Sequence, residues 1–508
     1  MNKKWLPGLI GLSIFALLGR LLGFVREALM ASKFGANGIT DAYLTTLLLF
    51  DIAIAANMSI LSGTLSYVSG IKNLSENRPP LFRTGMQAFA VMLLAAIIYY
   101  PLAEPIAGSI FGRSSDILYI IIDSSRLLMF LSAFLIGSGV FSASLQLDGK
   151  TTVPGRLIVF LNLSSILMII LFAKKFGIIA LPFGLLVGGI LFFFYQITLI
   201  GVKERNIAKV KENKLNFNAW GVVVFLIFCN SLLPSLSGFI ERYFAVFFNP
   251  GTFSHYQYAA KIMLLPLTIF SFAISTSLLP LQSRSVSSGN EKEFAEITNK
   301  SILLSVLSSG YFVLIFSVAA EAIVRIVYQR GHFAQQDSLE TATALRIMSA
   351  GLIPFLLNPV LANVFYLKKS SRLIISINLF FIFLQAGLLF LFSRIIPGVV
   401  TFAAAWVIFV WTNNGALIWF LYKKMNVRIE SYLSGKLLMI LMSSLIFSLG
   451  VRWLLTSMHL FSGTGETGWI LLYKAVLIGI ALMFLYAGIV FYVFRARLTG
   501  IWTKLKNR

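Results

Sequence analysis

Long apolar stretches, broken by short polar or basic connections, run through the whole chain. With roughly 20 apolar residues needed to cross a bilayer, the pattern predicts about fourteen spanning helices. They fall at approximately 5–33, 40–71, 82–111, 117–147, 152–173, 177–202, 218–247, 253–283, 299–328, 338–367, 372–393, 398–422, 433–457 and 468–494. Several exceed the bilayer thickness, which implies tilt or extension beyond the lipid. The expected fold class is an all-α polytopic membrane protein. The first apolar run continues through Arg20 and Arg26 with no small-residue cleavage site, so it reads as a span and not as a cleavable signal.

The pattern also repeats. Gly23-Phe24-Val25-Arg26-Glu27 is echoed 215 residues later by Gly238-Phe239-Ile240-Glu241-Arg242, both inside apolar stretches of spanning length. Ser59-Ile60-Leu61 with Leu65 is echoed by Ser275-Thr276-Ser277 with Leu281, at an offset one residue larger. The predicted organisation is therefore a six-helix lobe at 1–202, a basic cytoplasmic linker at 203–217, a second six-helix lobe at 218–424, and two additional helices with a basic tail at 425–508. Parallel repeats of this kind are related by an axis along the membrane normal.

Composition agrees: 58% of the residues are hydrophobic and 12% charged, where soluble domains run nearer ~25% charged. The formal charge of +23 does not point to nucleic acid, because the basic residues fall mostly in the connections, where they report topology. With the N-terminus cytoplasmic, the external connections hold only Lys33, Arg113, Lys174, Lys175, Arg325, Arg330, Arg394 and Arg452, and every other loop lysine or arginine is cytoplasmic. Both termini are expected in the cytoplasm. Cys229 reads as a small buried hydrophobe. The histidines His255, His332 and His459 lie in or beside connections and form no ligand cluster, so no metal site or catalytic residue is expected.

Charges within the spans carry the functional signal, since an ionisable group at the bilayer centre costs at least about 2.5 kcal/mol. Arg20 and Glu27 are seven residues apart and share a helix face; Arg26 lies well around from both. Asp41, Asp51, Glu241, Arg242 and Lys261 follow on the second, seventh and eighth spans. Together they suggest a charged cavity between the lobes, and the alternative is a set of salt bridges that only hold helices together. Asp123 and Arg126, spaced i,i+3, are expected to neutralise each other locally; Arg346 and Lys474 show no evident partner in the sequence. As a cavity, Arg20, Arg26, Arg242 and Lys261 would hold a diphosphate head group, arginine forks matching phosphate oxygens. Glu27, Asp41, Asp51 and Glu241 are the candidate coupling acids, and Gly23 and Gly238 are candidate hinge or packing points. No nucleotide-binding motif and no cofactor is expected, which leaves the membrane potential, protons or sodium to drive movement.

At this point a resemblance enters. Gly19-Arg20-Leu21-Leu22-Gly23-Phe24-Val25-Arg26-Glu27, continuing through Phe34-Gly35 to Thr40-Asp41-Ala42-Tyr43, resembles the first helix and the start of the second in the lipid II flippases called MurJ or MviN. These belong to the multidrug/oligosaccharidyl-lipid/polysaccharide exporter superfamily. Leu145-Gln146-Leu147-Asp148-Gly149-Lys150 with Pro154 and Asn162, Tyr258-Ala259-Ala260-Lys261-Ile262-Met263 with Pro266, and Tyr328-Gln329-Arg330-Gly331-His332-Phe333 are weaker echoes. The resemblance implies fourteen helices, a cavity between two lobes, and a groove formed with the last two helices for a polyprenyl tail. It implies cavity roles for Arg20, Arg26, Glu27 and Asp41. It also implies a bacterial cytoplasmic membrane location, a lipid-linked glycan as substrate and glycan-synthesis enzymes as partners. The chain departs from the family around Ile54, where an arginine is common, and at Lys261 and Leu264, where helix eight would carry arginine and glutamate. The expected activity is therefore flipping of a polyprenyl-diphosphate-linked glycan, either lipid II or a related exopolysaccharide unit. The alternative is a cation-coupled small-molecule or drug antiporter of the same superfamily.

The topology is checked by labelling. A cysteine placed at Lys174 is expected to react with an impermeant maleimide added to intact cells, and one at Asn206 to stay protected; the reverse result would invert the orientation.

Overall fold

The computed structural model describes residues 6–69, 80–111, 117–200, 217–267, 270, 272–425, 473–474, 477–488 and 490. The basic linker predicted at 203–217 lies outside these apart from its last residue, as do the span predicted at 433–457 and the basic tail beyond residue 490. Regular structure among the described residues is helical. The chain separates into two compact units, Met1–Ser254 and His255–Arg508.

The first unit holds α1 (Leu6–Phe34), α2 (Gly38–Ser69), α3 (Leu81–Phe111), α4 (Leu118–Leu147), α5 (Val153–Phe176), α6 (Ala180–Leu199), α7 (Phe217–Ser231) and α8 (Leu233–Ala245). Local chemistry sets the turns. Gly35, at φ +72°, ends α1 and donates its N–H to Ala31 at 2.8 Å; the Asn37 side chain then accepts from the Thr40 N–H at 3.2 Å and starts α2. α5 and α6 make one 47-residue apolar stretch, Val153–Leu199. At ~1.5 Å per residue this is about twice a bilayer crossing, and Gly177, at φ +56°, turns it back so that α6 packs along α5. α7 and α8 bend by 44° where Pro234, in the first turn of α8, can supply no hydrogen bond to α7.

The interior of this unit is aromatic. Phe89, Phe134, Phe141 and Phe193 from α3, α4 and α6 meet with ring centroids 4.8 to 5.5 Å apart. Polar side chains knit the helices between these rings. Asn57 Nδ2 donates to the Leu135 carbonyl at 2.6 Å, Asn162 Nδ2 to the Gly19 carbonyl at 2.8 Å, and Gln196 Nε2 to Ser142 Oγ at 2.7 Å. α3 turns Val91, Leu94, Ile97 and Ile98 outward, the face expected of a helix against lipid. On α7, Val222, Phe225 and Leu226 are exposed, and Cys229 is exposed with them. This corrects the expectation that Cys229 is buried: its i, i+3, i+4, i+7 spacing from those residues puts it on the apolar outer stripe of the helix.

α9 (Thr252–Pro266) leads into the second unit, which holds α10 (Phe272–Ser287), α11 (Glu291–Val318), α12 (Ala320–Tyr328), α13 (Gln335–Ser349), α14 (Leu352–Leu367), α15 (Ser371–Phe392) and α16 (Val399–Met425). The helix Leu477–Gly488, α17, packs on α11, its Tyr486 hydroxyl donating to the Leu307 carbonyl at 2.7 Å. Tyr258, Tyr328 and Phe333 form a ring cluster with centroids 4.9 to 5.7 Å apart. α13 and α14 bend by 53° beside Gly351, where an added Cβ would lie 2.7 Å from the Trp406 ring. Arg346, without an evident partner in the sequence, reaches Glu321 at 3.4 Å. Asp123 and Arg126 do meet, at 3.3 Å.

The twelve spans predicted up to residue 422 each coincide with a helix or with consecutive helices. By length and apolar content, seven described stretches qualify as crossings, the α5–α6 stretch counted once, or nine when each bent pair is one span. Close glycine contacts hold the α5–α6 hairpin: a Cβ on Gly184 would lie 2.5 Å from the Ser165 Cα, and one on Gly188 would lie 2.7 Å from the Phe160 carbonyl. Gly188→Val is therefore expected to cost about 1–3 kcal/mol through overpacking and to lower the apparent melting temperature of the detergent-solubilised protein. Gly221→Ala, where a Cβ meets nothing within 4 Å, is expected to leave it unchanged.

Candidate functional site

The charges of α1, α2 and α8 converge within the first unit. On α1, Arg26 and Glu27 are 8% and 3% exposed, and Arg26 Nη2 donates to Glu27 Oε1 at 2.7 Å. The two are chain neighbours pointing about 100° apart around the helix, so the long guanidinium curls across to reach the carboxylate. On α8, Arg242 is 9% exposed. It turns to α2, not to its neighbour Glu241: Nη2 donates to Asp51 Oδ2 at 2.8 Å and Nε to the Leu44 carbonyl at 3.0 Å. Asp51 is also among the electrostatic neighbours of Arg26, as are Glu27 and Tyr43. Two arginines and two carboxylates thus balance in one neighbourhood.

Asp41 stands apart from this set, at the start of α2. Its Oδ2 accepts the Gly251 N–H at 2.6 Å, and its Oδ1 accepts the Ser254 N–H at 2.7 Å together with the Ser254 hydroxyl. A carboxylate there satisfies free N–H groups of the first turn of α9 and complements the positive end of that helix. Gly251 sits at φ +92°, and a Cβ on it would lie 2.6 Å from the Ala36 carbonyl, so the turn between α8 and α9 presses directly on the turn between α1 and α2.

The remaining predicted positions are more scattered. Arg20 is exposed on α1. Glu241 is 8% exposed on α8. Lys261 belongs to the second unit, partly buried on α9. A Cβ on Gly23 would approach Asn162 Nδ2 at 3.2 Å, whereas one on Gly238 would meet Arg242 Nη1 at 2.7 Å. Gly23 thus admits α5 to α1, and Gly238 leaves room for a guanidinium. The bend of this span falls at Ser231–Leu233, about six residues before Gly238.

Tyr43 was not singled out for a role by sequence reasoning. Its ring is 1% exposed, its hydroxyl has no hydrogen-bond partner, and it lies beside Arg26; only its place next to Asp41-Ala42 in the motif hinted at it. Ser254 and Leu44 act through the chain at a distance and left no signal.

The family model described as "Lipid II flippase MurJ" matches residues 30–476. The chain belongs to this family. It is a transporter and not an enzyme, a multi-pass protein of the inner membrane. The probable lipid II flippase MurJ of Buchnera aphidicola subsp. Baizongia pistaciae is 27% identical over 396 residues, covering 75% of this chain and 76% of its own. That of Aquifex aeolicus is 27% identical over 442 residues, covering 82% and 83%. Among solved structures, the lipid II flippase MurJ in an inward closed conformation superposes with a TM-score of 0.77 at 20% identity, covering 96% of this chain and all of its own (100%). An inward-facing multidrug resistance transporter of the MATE family superposes at 0.71 with 13% identity, covering 83% and 99%. These likenesses show the fold shared across the superfamily.

Asp41→Asn removes the charge and turns an amide donor towards other donors, a cost of about 1–3 kcal/mol. Hydrogen exchange at the Gly251 and Ser254 amides is expected to quicken about 10- to 100-fold; unchanged exchange would show that the carboxylate does not hold the turn.

Proposed function

We propose that the chain flips lipid II, or a closely related polyprenyl-diphosphate-linked glycan, across the cytoplasmic membrane by alternating access. The observation that carries this reading is the family match over residues 30–476, combined with guanidinium groups buried in membrane-spanning helices. In this reading Arg26 and Arg242 recognise the diphosphate, joined by Arg20 of the same unit. Diphosphate oxygens compete with carboxylates for the same forks, so binding requires an acid to give way. Asp51 is suited to do so, because its side chain is 44% exposed, whereas that of Glu27 is 4% exposed. A proton or sodium ion on Asp51 would free Arg242 for substrate and couple transport to the ion gradient. The drug-antiporter alternative is supported by the shared fold alone.

Arg26→Ala is expected to abolish rescue of a strain depleted of its lipid II flippase while the variant still reaches the membrane. It removes a phosphate donor and strands Glu27, a loss of about 3–5 kcal/mol where a buried pair is broken. Arg26→Lys is expected to rescue in part, as a point donor. Failure of the unaltered chain to rescue, at full membrane level, would exclude lipid II and leave the related glycan. Full activity of Arg26→Ala would remove the phosphate-binding role.

A further inference from the structure

Away from the Arg26–Glu27 pair, the first unit encloses a cavity of ≈ 230 Å³ between α2, α3, α4 and α8. Its walls are mostly hydrocarbon, supplied by Leu48, Leu49, Ile106, Ala107, Ile121 and Phe239. Five hydroxyl-bearing residues line it, Tyr99 and Tyr243 among them; the three aliphatic hydroxyls are spent on their own helices, Thr45 donating to the Asp41 carbonyl at 2.8 Å, Thr46 to Tyr43 at 2.6 Å, and Ser125 to Ile122 at 2.8 Å. Those three turn no donor into the space. Arg242 is the charged residue of the lining. With Nε on Leu44 and Nη2 on Asp51, its Nη1 donates to no described group, although the residue is more than nine-tenths buried.

Position and size narrow the occupant. Ile106 and Ala107 lie near the end of α3, Ile121 near the start of α4 and Arg242 near the end of α8. All are within about two turns of a helix terminus, the depth at which lipid ester groups meet acyl chains. Ile106, Phe239 and Tyr243 are 40%, 46% and 52% exposed, so the cavity opens on the outside of the helices, where the solvent is lipid. The walls are hydrocarbon over most of their extent, which suits an acyl chain better than ordered water. The volume is below the ~300 Å³ at which pockets begin to hold a drug-sized ligand, which suits part of one chain.

We propose that this cavity binds one acyl chain of a bilayer phospholipid, with an ester or phosphate oxygen accepting from Arg242 Nη1 and the upper methylenes lying between α3 and α8. The lipid is a resident one, distinct from the transported glycan, and it braces the helix that carries Arg242.

The test uses the full chain in nanodiscs of phosphatidylethanolamine and phosphatidylglycerol with a trace of phospholipid bearing a diazirine high on one chain. After irradiation, adducts are expected on residues 99–107 and 239–243. Ala107→Phe and, separately, Leu48→Trp fill the space and are expected to reduce these adducts about tenfold, while adducts on the outer face of α3 around Val91 and Leu94 persist and report correct insertion. Adducts confined to that outer face, or undiminished in both filled variants, would overturn the site. A parallel arm with diazirine polyprenyl phosphate separates the two sources of hydrocarbon. Labelling of the cavity by polyprenyl phosphate but not by phospholipid would overturn the resident-lipid assignment.

Discussion

Asp41 is the constraint on which the first unit turns. A carboxylate at the start of one apolar helix takes two backbone N–H groups of a turn more than 200 residues later. Because those donors sit in the first turn of α9, the bond is charge-assisted at both ends: a full negative charge meets the positive pole of a helix. It also sets distance. With the α8–α9 turn pinned at Asp41, α8 must run back along α2, and ten residues further on, about 15 Å along the axis, Arg242 arrives at Asp51. α2 therefore meets the α8–α9 segment through two carboxylates, one closing a turn and one holding a guanidinium. The first is tied to backbone N–H groups, the second to a side chain.

That difference bears on how a membrane protein uses charge. Burying a pair costs desolvation of both partners and returns little net stability, while removing one partner is expensive. In a chain that carries two such pairs in one neighbourhood, each arginine is neutralised by a carboxylate. The exposures of Glu27 and Asp51 make the two pairs unequal: the α1 pair forms the buried floor of the set, and Asp51 is its more exposed member. Tyr43, buried with an unpartnered hydroxyl beside Arg26, adds a polar group to that floor without adding charge.

Much of this was legible from the chain, and the physical reason is that hydrophobic length reports the bilayer directly. The helical segments up to residue 422 followed from runs and interruptions, and so did the buried charges Arg26, Glu27, Glu241 and Arg242, though not buried Arg325, expected in a connection. What hydropathy does not encode is which way a helix faces. α3 and α4 are about equally apolar, yet α4 is buried over most of its length and α3 turns its residues to lipid; Cys229 was misplaced for the same cause. Pairings were legible only where they were local, as for Asp123 with Arg126. Arg346 with Glu321, Arg242 with Asp51 and Asp41 with Ser254 join positions 25, 191 and 213 residues apart, and a single sequence holds no trace of which distant acid a base will find.

The repeated glycines show where a sequence repeat stops being a structural one. Gly23 and Gly238 occupy matching places, each a few residues before an arginine–glutamate neighbour pair. Around Gly23 the missing side chain admits Asn162 of α5, whose amide holds the Gly19 carbonyl; around Gly238 it admits the guanidinium of Arg242 from the next turn of the same helix. Reversing the order of the pair, Arg26-Glu27 against Glu241-Arg242, shifts the cation by one position, about 100° around the helix. In the first copy the arginine is left beside its own glutamate. In the second it falls four residues after the glycine, on the same face, and the space the glycine vacates directs it across to α2. One glycine, conserved in place within the chain and changed in surroundings, thus separates a packing contact from a cation site.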